Sequence, residues 1–358
     1  MGLEEKISEV EQEIRKTPYN KATQHHIGKL KAKLAKMREQ QISQGSGKGG
    51  AGFGVKKTGD ATVAFVGYPS VGKSTLLNQL TNAESAVGAY DFTTVDVIPG
   101  MMKYENVLIQ LLDLPGIITG AGKGKGRGRE ILSVARNADL IVFVLDAQKM
   151  QGLKRLRKEL YNVGVRLDQK PPKVKIKRKS QGGINITSTV DEKKLPIDSI
   201  KSILNEYRHH NADVTIAEKI DEERFIDALQ ANRVYIPSLV VINKADLVGK
   251  TNNDNPDSVW VSAQKALNLD ELKKTIFDKL NFIRIYLKPQ GEEADLEEPL
   301  VLKKNSCVKT LCQSLHRDFL KYFRYAQVWG KSAKHPGQRV GLNHVLSDGD
   351  VVTVVKER

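Results

Sequence analysis

The chain has 358 residues, of which 40% are hydrophobic and 28% are charged, a composition typical of globular proteins with two or three domains. Its net charge of +15 and pI of about 9.5 favour a polyanionic partner. Nucleic acid is favoured over a membrane because no segment approaches the ~18 continuous apolar residues of a membrane-spanning helix.

The cysteine content and the N-terminus indicate a cellular compartment. Cys307 and Cys312 are too few for a disulfide framework, and their spacing matches neither a zinc pair nor a redox C-x-x-C. The N-terminus lacks the charged and then apolar pattern of a secretory signal. We therefore expect a cytoplasmic protein with reduced thiols.

Residues 1–42 predict a hairpin of two amphipathic helices, separated at Pro18 because proline is excluded from helix interiors. The first helix is acidic and the second is basic, so antiparallel packing would place opposite charges side by side. The basic helix over 29–38 is either a solvated face or an RNA contact. Residues 43–59 are rich in glycine, serine and lysine and predict a flexible linker.

Residues 61–80 predict a strand, a phosphate-binding loop of the form G-x-x-x-x-G-K-S, and a helix. Its two glycines allow the backbone N–H groups to point at a phosphate chain, and the helix adds its positive N-terminal end. We expect Lys73 to reach the β- and γ-phosphates and Ser74 to hold Mg²⁺. The predicted phosphate contacts are Gly67, Tyr68, Pro69, Ser70, Val71, Gly72, Lys73, Ser74 and Thr75.

A second phosphate motif ends the next predicted hairpin, whose strands cover 95–104 and 107–113. The motif reads Asp113-Leu-Pro-Gly116. A carboxylate at a strand end is suited to holding Mg²⁺ through water, and Gly116 lets its N–H approach a γ-phosphate.

Two apolar runs, 140–146 and 238–243, predict buried parallel strands. They are separated by roughly three times the ~30 residues that one strand–helix–strand unit requires, so a module is inserted between them. We expect a small α+β insertion over 168–235 that begins with a basic run at 170–180. It contains a predicted strand at 184–187 and predicted helices at 197–208 and 221–231.

The base motif Asn243-Lys-Ala-Asp246 follows the second of these strands. A fixed carboxylate at Asp246 accepts both the N1–H and the 2-amino group of guanine, a donor pair that adenine lacks. Asn243 would tie the loop and contact the base, and the stem of Lys244 would cover the ring. Backbone N–H groups at Ser262 and Ala263, after a predicted strand at 258–261, are expected to meet guanine O6.

The last part of the chain predicts a helix at 267–280 and then a separate α+β module. That module has predicted strands at 301–302, 323–328 and 351–355, with a helix near 308–320. Its length is close to the smallest that folds alone.

These motifs, in this order, are those of a Ras-like GTPase of the translation-factor class. Their combination with Tyr90-Asp-Phe-Thr-Thr94 resembles the Obg-type GTPases. Further segments resemble the developmentally regulated GTP-binding protein (DRG) family over nearly the whole chain, namely Asn20-Lys-Ala-Thr-Gln-His-His26, Gly120-Ala-Gly-Lys-Gly-Lys-Gly-Arg-Gly-Arg-Glu130, Gly182-Gly-Ile-Asn-Ile186, His210-Asn-Ala-Asp-Val-Thr215, Asn232-Arg-Val-Tyr-Ile-Pro237 and Tyr325-Ala-Gln-Val-Trp-Gly330.

The resemblance implies an α/β fold built around a P-loop GTPase domain at 60–285. It implies an N-terminal helical hairpin at 1–42, a linker at 43–59, and an inserted module at 168–235 like domain 2 of ribosomal protein S5. A C-terminal TGS domain of β-grasp fold would occupy 286–358.

The resemblance also implies roles for the remaining site residues. Thr94 would ligate Mg²⁺ and sense the γ-phosphate, with Thr93 as its rival. The metal ligands would then be Ser74, Thr94 and Asp113, and the catalytic set Lys73, Thr94 and Gly116. The expected nucleotide contacts beyond the loop are Phe92, Thr93, Thr94, Asp113, Gly116, Asn243, Lys244, Asp246, Ser262 and Ala263.

Hydrolysis is expected to be slow without help. Ras-type enzymes carry a water-orienting glutamine after the Asp-x-x-Gly motif, but Ile117 and Ile118 stand there. The family resemblance implies a response to potassium, although Ser70 occupies the position at which the better-known potassium-using GTPases carry asparagine. K⁺ therefore stays open as a cofactor beside GTP or GDP and Mg²⁺.

We expect a GTP hydrolase that acts as a switch on the ribosome, rRNA or tRNA. Two alternatives remain: a non-hydrolysing guanine-nucleotide-binding scaffold, and a kinase that uses the same loop. The basic clusters at 29–38, 123–129 and 173–179 would form an RNA groove if they share one face. The resemblance implies a dedicated stabilising partner in some lineages. We expect a monomer without membrane or DNA binding, and leave open whether the TGS domain binds RNA or protein.

Overall fold

A computed structural model describes residues 2–43, 58–81, 99–114, 134–190, 195–249 and 258–357. The chain divides into two units. The hairpin unit comprises 1–54, 117–136 and 154–236, and the phosphate-loop unit comprises 55–116, 137–153 and 237–358. Among the helices in these ranges, none has the length and apolarity required to cross a bilayer.

The two N-terminal helices confirm the helical patterns of the sequence. They are α1 (Leu3–Lys16) and α2 (Gln24–Ser43). As expected from their opposite charges, Arg38 Nη2 lies 2.7 Å from Glu11 Oε1, and His26 Nε2 lies 3.0 Å from Glu13 Oε1. Acidic side chains of α1 and basic side chains of α2 therefore lie side by side, as the sequence predicts.

The phosphate-loop unit begins with the elements predicted around the first two motifs. They are β1 (Ala61–Gly67), α3 (Lys73–Leu80), β2 (Pro99–Tyr104), β3 (Val107–Asp113) and β4 (Leu140–Asp146). The β2–β3 hairpin turns at Glu105 and Asn106, which both have positive φ, as a tight two-residue turn requires. Every residue of β1 is buried, which identifies it as a central strand.

The segment that follows β4, which includes the inserted module expected at 168–235, contains more strands than the sequence predicts. Its elements are α4 (Leu153–Asn162), β5 (Val165–Leu167), β6 (Val174–Arg178), β7 (Ile184–Ser188), α5 (Ile197–Glu206), β8 (Ala212–Ile216), α6 (Glu222–Leu229) and β9 (Val234–Ile236). The sequence predicts only a cluster of charge at 170–180. In the structure, the centre of this basic run is the strand β6. β6, β8 and β7 form one sheet, with β8 in the middle.

The alternation of β6 explains how a basic run becomes a strand. Val174 and Ile176 pack against the core formed by α5, α6 and β8, and Ala32 of α2 joins the same core. The odd positions of β6 and its flanks therefore face away from that core. Because α2 lies on the core side, the 29–38 cluster and the 173–179 cluster occupy opposite sides of the module, and these two clusters do not line one groove.

The basic helix α2 uses much of its charge within the protein. Lys31 lies 3.6 Å from Glu222 and 3.4 Å from Glu223, and Lys36 Nζ lies 3.6 Å from Glu206 Oε1. These acidic residues belong to α5 and α6. The basic helix thus forms ion pairs with α5 and α6 in addition to those with α1 that the sequence predicts.

The remaining strands of the sheet that contains β1 are β10 (Ser238–Asn243) and β11 (Ser258–Trp260), followed by α7 (Leu269–Leu280). The six-stranded sheet has the order β11-β10-β4-β1-β3-β2. All neighbouring strands are parallel except the β2–β3 hairpin. The carboxyl ends of β1, β3, β4, β10 and β11 therefore meet at one edge.

The C-terminal module forms a second sheet in the same unit. Its elements are β12 (Phe282–Leu287), β13 (Leu300–Lys303), α8 (Val308–Leu315), α9 (Arg317–Lys321), β14 (Phe323–Trp329), β15 (Gln338–Val340) and β16 (Val351–Lys356). The strand order is β13-β12-β16-β14-β15. β12 was not predicted, and it crosses the boundary expected at 286.

Candidate functional site

The phosphate loop lies at the carboxyl edge of the six-stranded sheet and is shaped by close backbone contacts. A Cβ on Gly67 would lie 2.5 Å from the Val144 carbonyl oxygen. Gly72 has φ +86°, and a Cβ there would lie 2.5 Å from Asn243 Nδ2. Glycine at these two positions thus brings β1, β4 and the base motif against the loop.

Lys73 folds into the loop that it follows. Its Nζ donates to the carbonyl oxygens of Gly67 and Tyr68, each at 3.1 Å. Burial lowers the pKa of Lys73, and the nearby Asp113 carboxylate opposes that shift. A partly desolvated ammonium held by neutral carbonyls is suited to donate to a phosphate oxygen, whose negative charge would restore the lost electrostatic stabilisation of the ammonium.

Ser74 and Asp113 lie together as a candidate metal site. Ser74 Oγ donates to Asp113 Oδ2 at 3.2 Å. Asp113 is only 6% exposed, and its Oδ1 is buried without a hydrogen-bond partner among the described residues. Because an unpaired buried carboxylate oxygen is costly, this donor set fits a hard divalent cation such as Mg²⁺.

The base motif is tied to the phosphate loop by two side chains. Asn243 Nδ2 donates to the Val71 carbonyl oxygen at 2.9 Å, and its Oδ1 accepts from Ala263 N at 3.0 Å. Lys244 Nζ donates to the Ser70 carbonyl oxygen at 3.0 Å. The loop that would read the base and the loop that would hold the phosphates are therefore joined directly.

A 370 Å³ pocket opens beside these contacts. Its lining includes Gly72, Thr75, Asn243, Lys244, Asp246, Leu247, Ser262, Ala263 and Gln264. The Asp246 side chain is 8% exposed, and Lys265 Nζ lies 3.9 Å from its Oδ2. Size and lining suit a purine base, with the Asp246 carboxylate available at the pocket.

The loop expected to contact guanine O6 is held by hydrogen bonds within the protein. The Ala263 N–H, expected at guanine O6, donates here to Asn243 Oδ1. Ser262 N donates to the Leu267 carbonyl oxygen at 3.3 Å, and Ser262 Oγ accepts from Lys265 N at 3.2 Å. Both residues thus shape the loop through its own hydrogen bonds.

One site residue was missed by the sequence reasoning. Asp146 ends β4, and its Oδ2 accepts from Lys244 Nζ at 2.6 Å. That hydrogen bond is the largest cause that lowers the pKa of Asp146. The signal was available, because a carboxylate directly after an apolar parallel strand must lie at the same edge as the other motifs.

Four predicted site residues lie outside the described residues: Phe92, Thr93, Thr94 and Gly116. The same holds for Ile117, Ile118 and the 123–129 cluster. Of the proposed metal ligands, the structure thus brings together Ser74 and Asp113. All the other predicted nucleotide contacts lie around the phosphate loop and the base pocket just described.

Three family descriptions match successive parts of the chain. Residues 62–179 match "50S ribosome-binding GTPase", residues 181–282 match the C-terminal region of the same GTPase domain, and residues 283–356 match the TGS domain. With the strand order above, these matches confirm the Ras-like GTPase fold and the TGS domain expected from the sequence.

Similar proteins occur in archaea and eukaryotes. An uncharacterised GTP-binding protein of Methanocaldococcus jannaschii is 59% identical, over 100% of this chain and 94% of the relative. Guanylate binding protein 128up of Drosophila melanogaster is 48% identical, over 99% and 98%. Developmentally-regulated GTP-binding protein 1 of Xenopus laevis is 46% identical, over 99% and 100%.

Proposed function

Because this chain belongs to the developmentally regulated GTP-binding protein family, we propose that it hydrolyses GTP and acts as a Mg²⁺-dependent switch on the ribosome or its RNA. It is a GTP-binding protein with a GTPase domain and a C-terminal TGS domain. The observation that carries the proposal is the Asn243 bridge, which joins the base pocket to the phosphate loop. Base recognition and phosphate binding are thereby parts of one rigid site.

Guanine selection rests on Asp246 at the pocket. Its carboxylate accepts two adjacent donors from guanine and would be left unpaired by adenine, which costs about 1–3 kcal/mol. Equal affinity for ATP and GTP would favour the kinase alternative instead.

The phosphate end is supplied by Lys73, Ser74 and Asp113, with Thr94 as the proposed third metal ligand. Mg²⁺ held by these residues would neutralise the negative charge of the phosphates. Lys73 would turn from the loop carbonyls to the β- and γ-phosphates, and the N–H of Gly116 would contact the γ-phosphate. We expect slow intrinsic hydrolysis, because Ile117 has no group that orients water. K⁺ remains a candidate accelerator.

The ribosome or RNA partner is supported by charge and by the family description of the GTPase domain. The lysines at alternate positions of β6 and its flanks lie on the sheet face that points away from the core; they are Lys173, Lys175, Lys177 and Lys179. We call this set the lysine face. Its regular spacing of about 6.6 Å per lysine suits successive phosphates of an RNA backbone.

The finer assignments belong to the same proposal. We propose a monomeric, cytoplasmic protein that binds neither DNA nor membranes, with a dedicated stabilising partner in some lineages. Lys179 pairs with Asp213, so Lys173, Lys175 and Lys177 carry most of the charge offered to RNA.

A single-turnover assay tests the proposal. GTP is mixed with excess protein, with and without ribosomes and with either K⁺ or Na⁺, and phosphate release is followed. We expect slow release by the protein alone and faster release with ribosomes. Absence of phosphate release under every condition would favour the non-hydrolysing scaffold. Release at the same rate with and without ribosomes would contradict the ribosomal switch but not the GTPase activity.

A further inference from the structure

The loop that follows β11 is a short turn with a strained backbone. Ser262 and Leu267 exchange two backbone hydrogen bonds, so the chain reverses direction between them. Ala266 has φ +51° and Asn268 has φ +57°, a left-handed conformation that costs free energy in residues other than glycine. Such strain persists where the surrounding contacts impose one geometry. We call residues 262–268 the β11 loop.

Two consecutive side chains of the β11 loop lie at the base pocket. Gln264 lines the pocket, and Lys265 Nζ lies 3.9 Å from Asp246 Oδ2. The Lys265 side chain is 62% exposed, whereas that of Asp246 is 8% exposed, so the lysine is a counter-charge on the solvent side of the carboxylate. The loop therefore borders the base-reading carboxylate with one residue and the pocket with the residue before it.

Guanine presents three polar groups in succession along one edge: the 2-amino group, N1–H and O6. The Asp246 carboxylate can accept from the first two of these groups, as proposed above. O6 is an acceptor next to N1–H, so it requires a donor beside the carboxylate. Without that donor, O6 would lose its hydrogen bond to water when the base is buried.

The donors expected at O6 from the sequence are engaged within the protein. Ala263 N–H donates to Asn243 Oδ1 at 3.0 Å, and Ser262 N–H donates to the Leu267 carbonyl oxygen. The side-chain donors of Asn243 and Lys244 are directed to carbonyl oxygens of the phosphate loop. The pocket wall also contains an amide on an exposed side chain, that of Gln264.

We propose that Gln264 reads the base, with its side-chain amide donating to guanine O6 while Asp246 accepts from N1–H and the 2-amino group. This inference rests on the proposed GTP function and deepens it, because it completes the recognition of the guanine edge. An amide offers either an N–H or an oxygen when it rotates. Gln264 therefore adds affinity at position 6 of the purine, and Asp246 retains the discrimination against adenine.

The triphosphate of 6-thioguanosine isolates the O6 contact. It keeps N1–H and the 2-amino group, but sulfur is a weak acceptor. Gln264→Met removes the amide and keeps a side chain of similar length. We expect this variant to bind GTP about fivefold more weakly by titration calorimetry, because one hydrogen bond is lost. Its affinity for the 6-thio analogue should change little, so the preference for GTP falls.

Gln264→Glu tests the donor more sharply. A carboxylate only accepts hydrogen bonds, so it would oppose O6, and we expect GTP affinity to fall about tenfold. The triphosphate of 2,6-diaminopurine riboside presents an amino donor at position 6, and the variant should bind it more tightly than the parent chain does. Because the missing N1–H of this analogue affects both proteins equally, the comparison reports position 6 alone.

Two further variants serve as controls. Gln313→Met makes the same change at an exposed position of α8 and should leave both affinities unchanged. Ser262→Ala tests the hydroxyl that lines the same pocket, whose Oγ accepts from Lys265 N at 3.2 Å. The preference of this variant for GTP over the 6-thio analogue should equal that of the parent chain. Urea unfolding of Gln264→Met should match the parent, because the side chain is exposed.

Three results would overturn the proposal: no loss of GTP affinity in Gln264→Met, equal losses for GTP and the 6-thio analogue, and a loss of the preference in Ser262→Ala instead. The proposed function is tested separately. An unchanged preference for GTP in Asp246→Asn would refute the guanine pocket. A chain that loses the preference in Gln264→Met but never releases phosphate would refute the GTPase and leave the Gln264 contact intact.

Discussion

Buried charged side chains differ in their partners between the two units of this protein. In the hairpin unit, Asp227 is buried between two guanidinium groups: its Oδ2 accepts from Arg166 Nε at 2.6 Å, and its Oδ1 accepts from Arg233 Nε at 2.7 Å. In the phosphate-loop unit, Asp113 has a buried oxygen with no hydrogen-bond partner among the described residues, and the hydrogen bonds of Lys73 in those residues go to carbonyl groups.

Fully paired buried charges indicate a structural scaffold, whereas buried charges without a counter-charge indicate a ligand-binding site. A buried charge that is fully paired stabilises the arrangement of its neighbours but has nothing left to offer a ligand. A buried charge that lacks its partner costs stability, and the ligand supplies what is missing. Substitutions should therefore reduce stability in the hairpin unit and nucleotide affinity in the phosphate-loop unit.

The largest effect on the free energy of unfolding is expected for Asp227→Ala. Its removal leaves Arg166 and Arg233 buried without a counter-charge, so we expect a loss of about 3–5 kcal/mol in the free energy of unfolding, measured with urea. GTP affinity should change little. Asp213→Ala, at a partly exposed ion pair, is the control and should change the free energy of unfolding far less. Equal losses for both variants would contradict the comparison.

Lys73→Ala should have the largest effect on the site. The triphosphate loses its charge-assisted contact in a desolvated loop, so we expect GTP affinity to fall about 100-fold by titration calorimetry. Stability without nucleotide should not fall, because the lysine is destabilised by burial. Lys274→Ala, at an exposed position of α7, serves as a charge-matched control. A clear fall in stability with intact GTP affinity would place Lys73 in the scaffold instead.

Asp246→Asn tests the base pocket more narrowly. The amide no longer accepts both guanine donors, so GTP should bind about 30-fold more weakly. Xanthosine triphosphate, which presents an acceptor in place of the 2-amino donor, should bind relatively better. Competition between the two nucleotides measures the ratio. An unchanged preference for GTP would refute the assignment of Asp246.

Asp146→Asn should weaken GTP binding about fivefold, because Lys244 loses an ionic partner while keeping a hydrogen bond to the loop. The pKa of Asp146 is lowered in the folded protein. Its stabilising contribution is therefore complete above the unfolded-state pKa near 4 and is lost as the pH falls through the lower folded-state value. Unfolding curves from pH 7 to pH 2 should show a smaller acid-induced loss in the variant. Identical pH profiles would exclude this role.

The smallest effect is expected for substitutions on the lysine face, and it concerns the salt dependence of RNA affinity. Replacing Lys175 and Lys177 by glutamine should reduce the slope of log affinity against log salt by about 0.7 per lysine for single-stranded RNA. GTP affinity should not change. Lys29→Gln and Lys33→Gln on the exposed part of α2 are matched controls on the other side of the module. An equal reduction in their slope would show that RNA binding is not confined to the lysine face.

Much of the site follows from local sequence. The phosphate loop, the Asp113 strand end and the Asn243 motif each combine a strand with a turn whose residues suit one chemistry. Such patterns are readable because strand alternation and loop conformation depend on near neighbours. The hairpin at 99–113, the helices α1 and α2, and the apolar strands β4 and β10 follow for the same reason.

What the sequence alone determined is thus the identity of the chemical groups and their order along the chain. Only the tertiary structure decided which groups meet. The strand pattern places Asp146 at the edge of the site, but no local pattern encodes its pairing with Lys244 or that of Arg166 with Asp227 across long stretches of chain. The basic run at 170–180 became a strand because β8 supplied a pairing edge and a core for Val174 and Ile176. Pairing and burial are non-local, so they fix the partners of these charges only after the sheets have assembled.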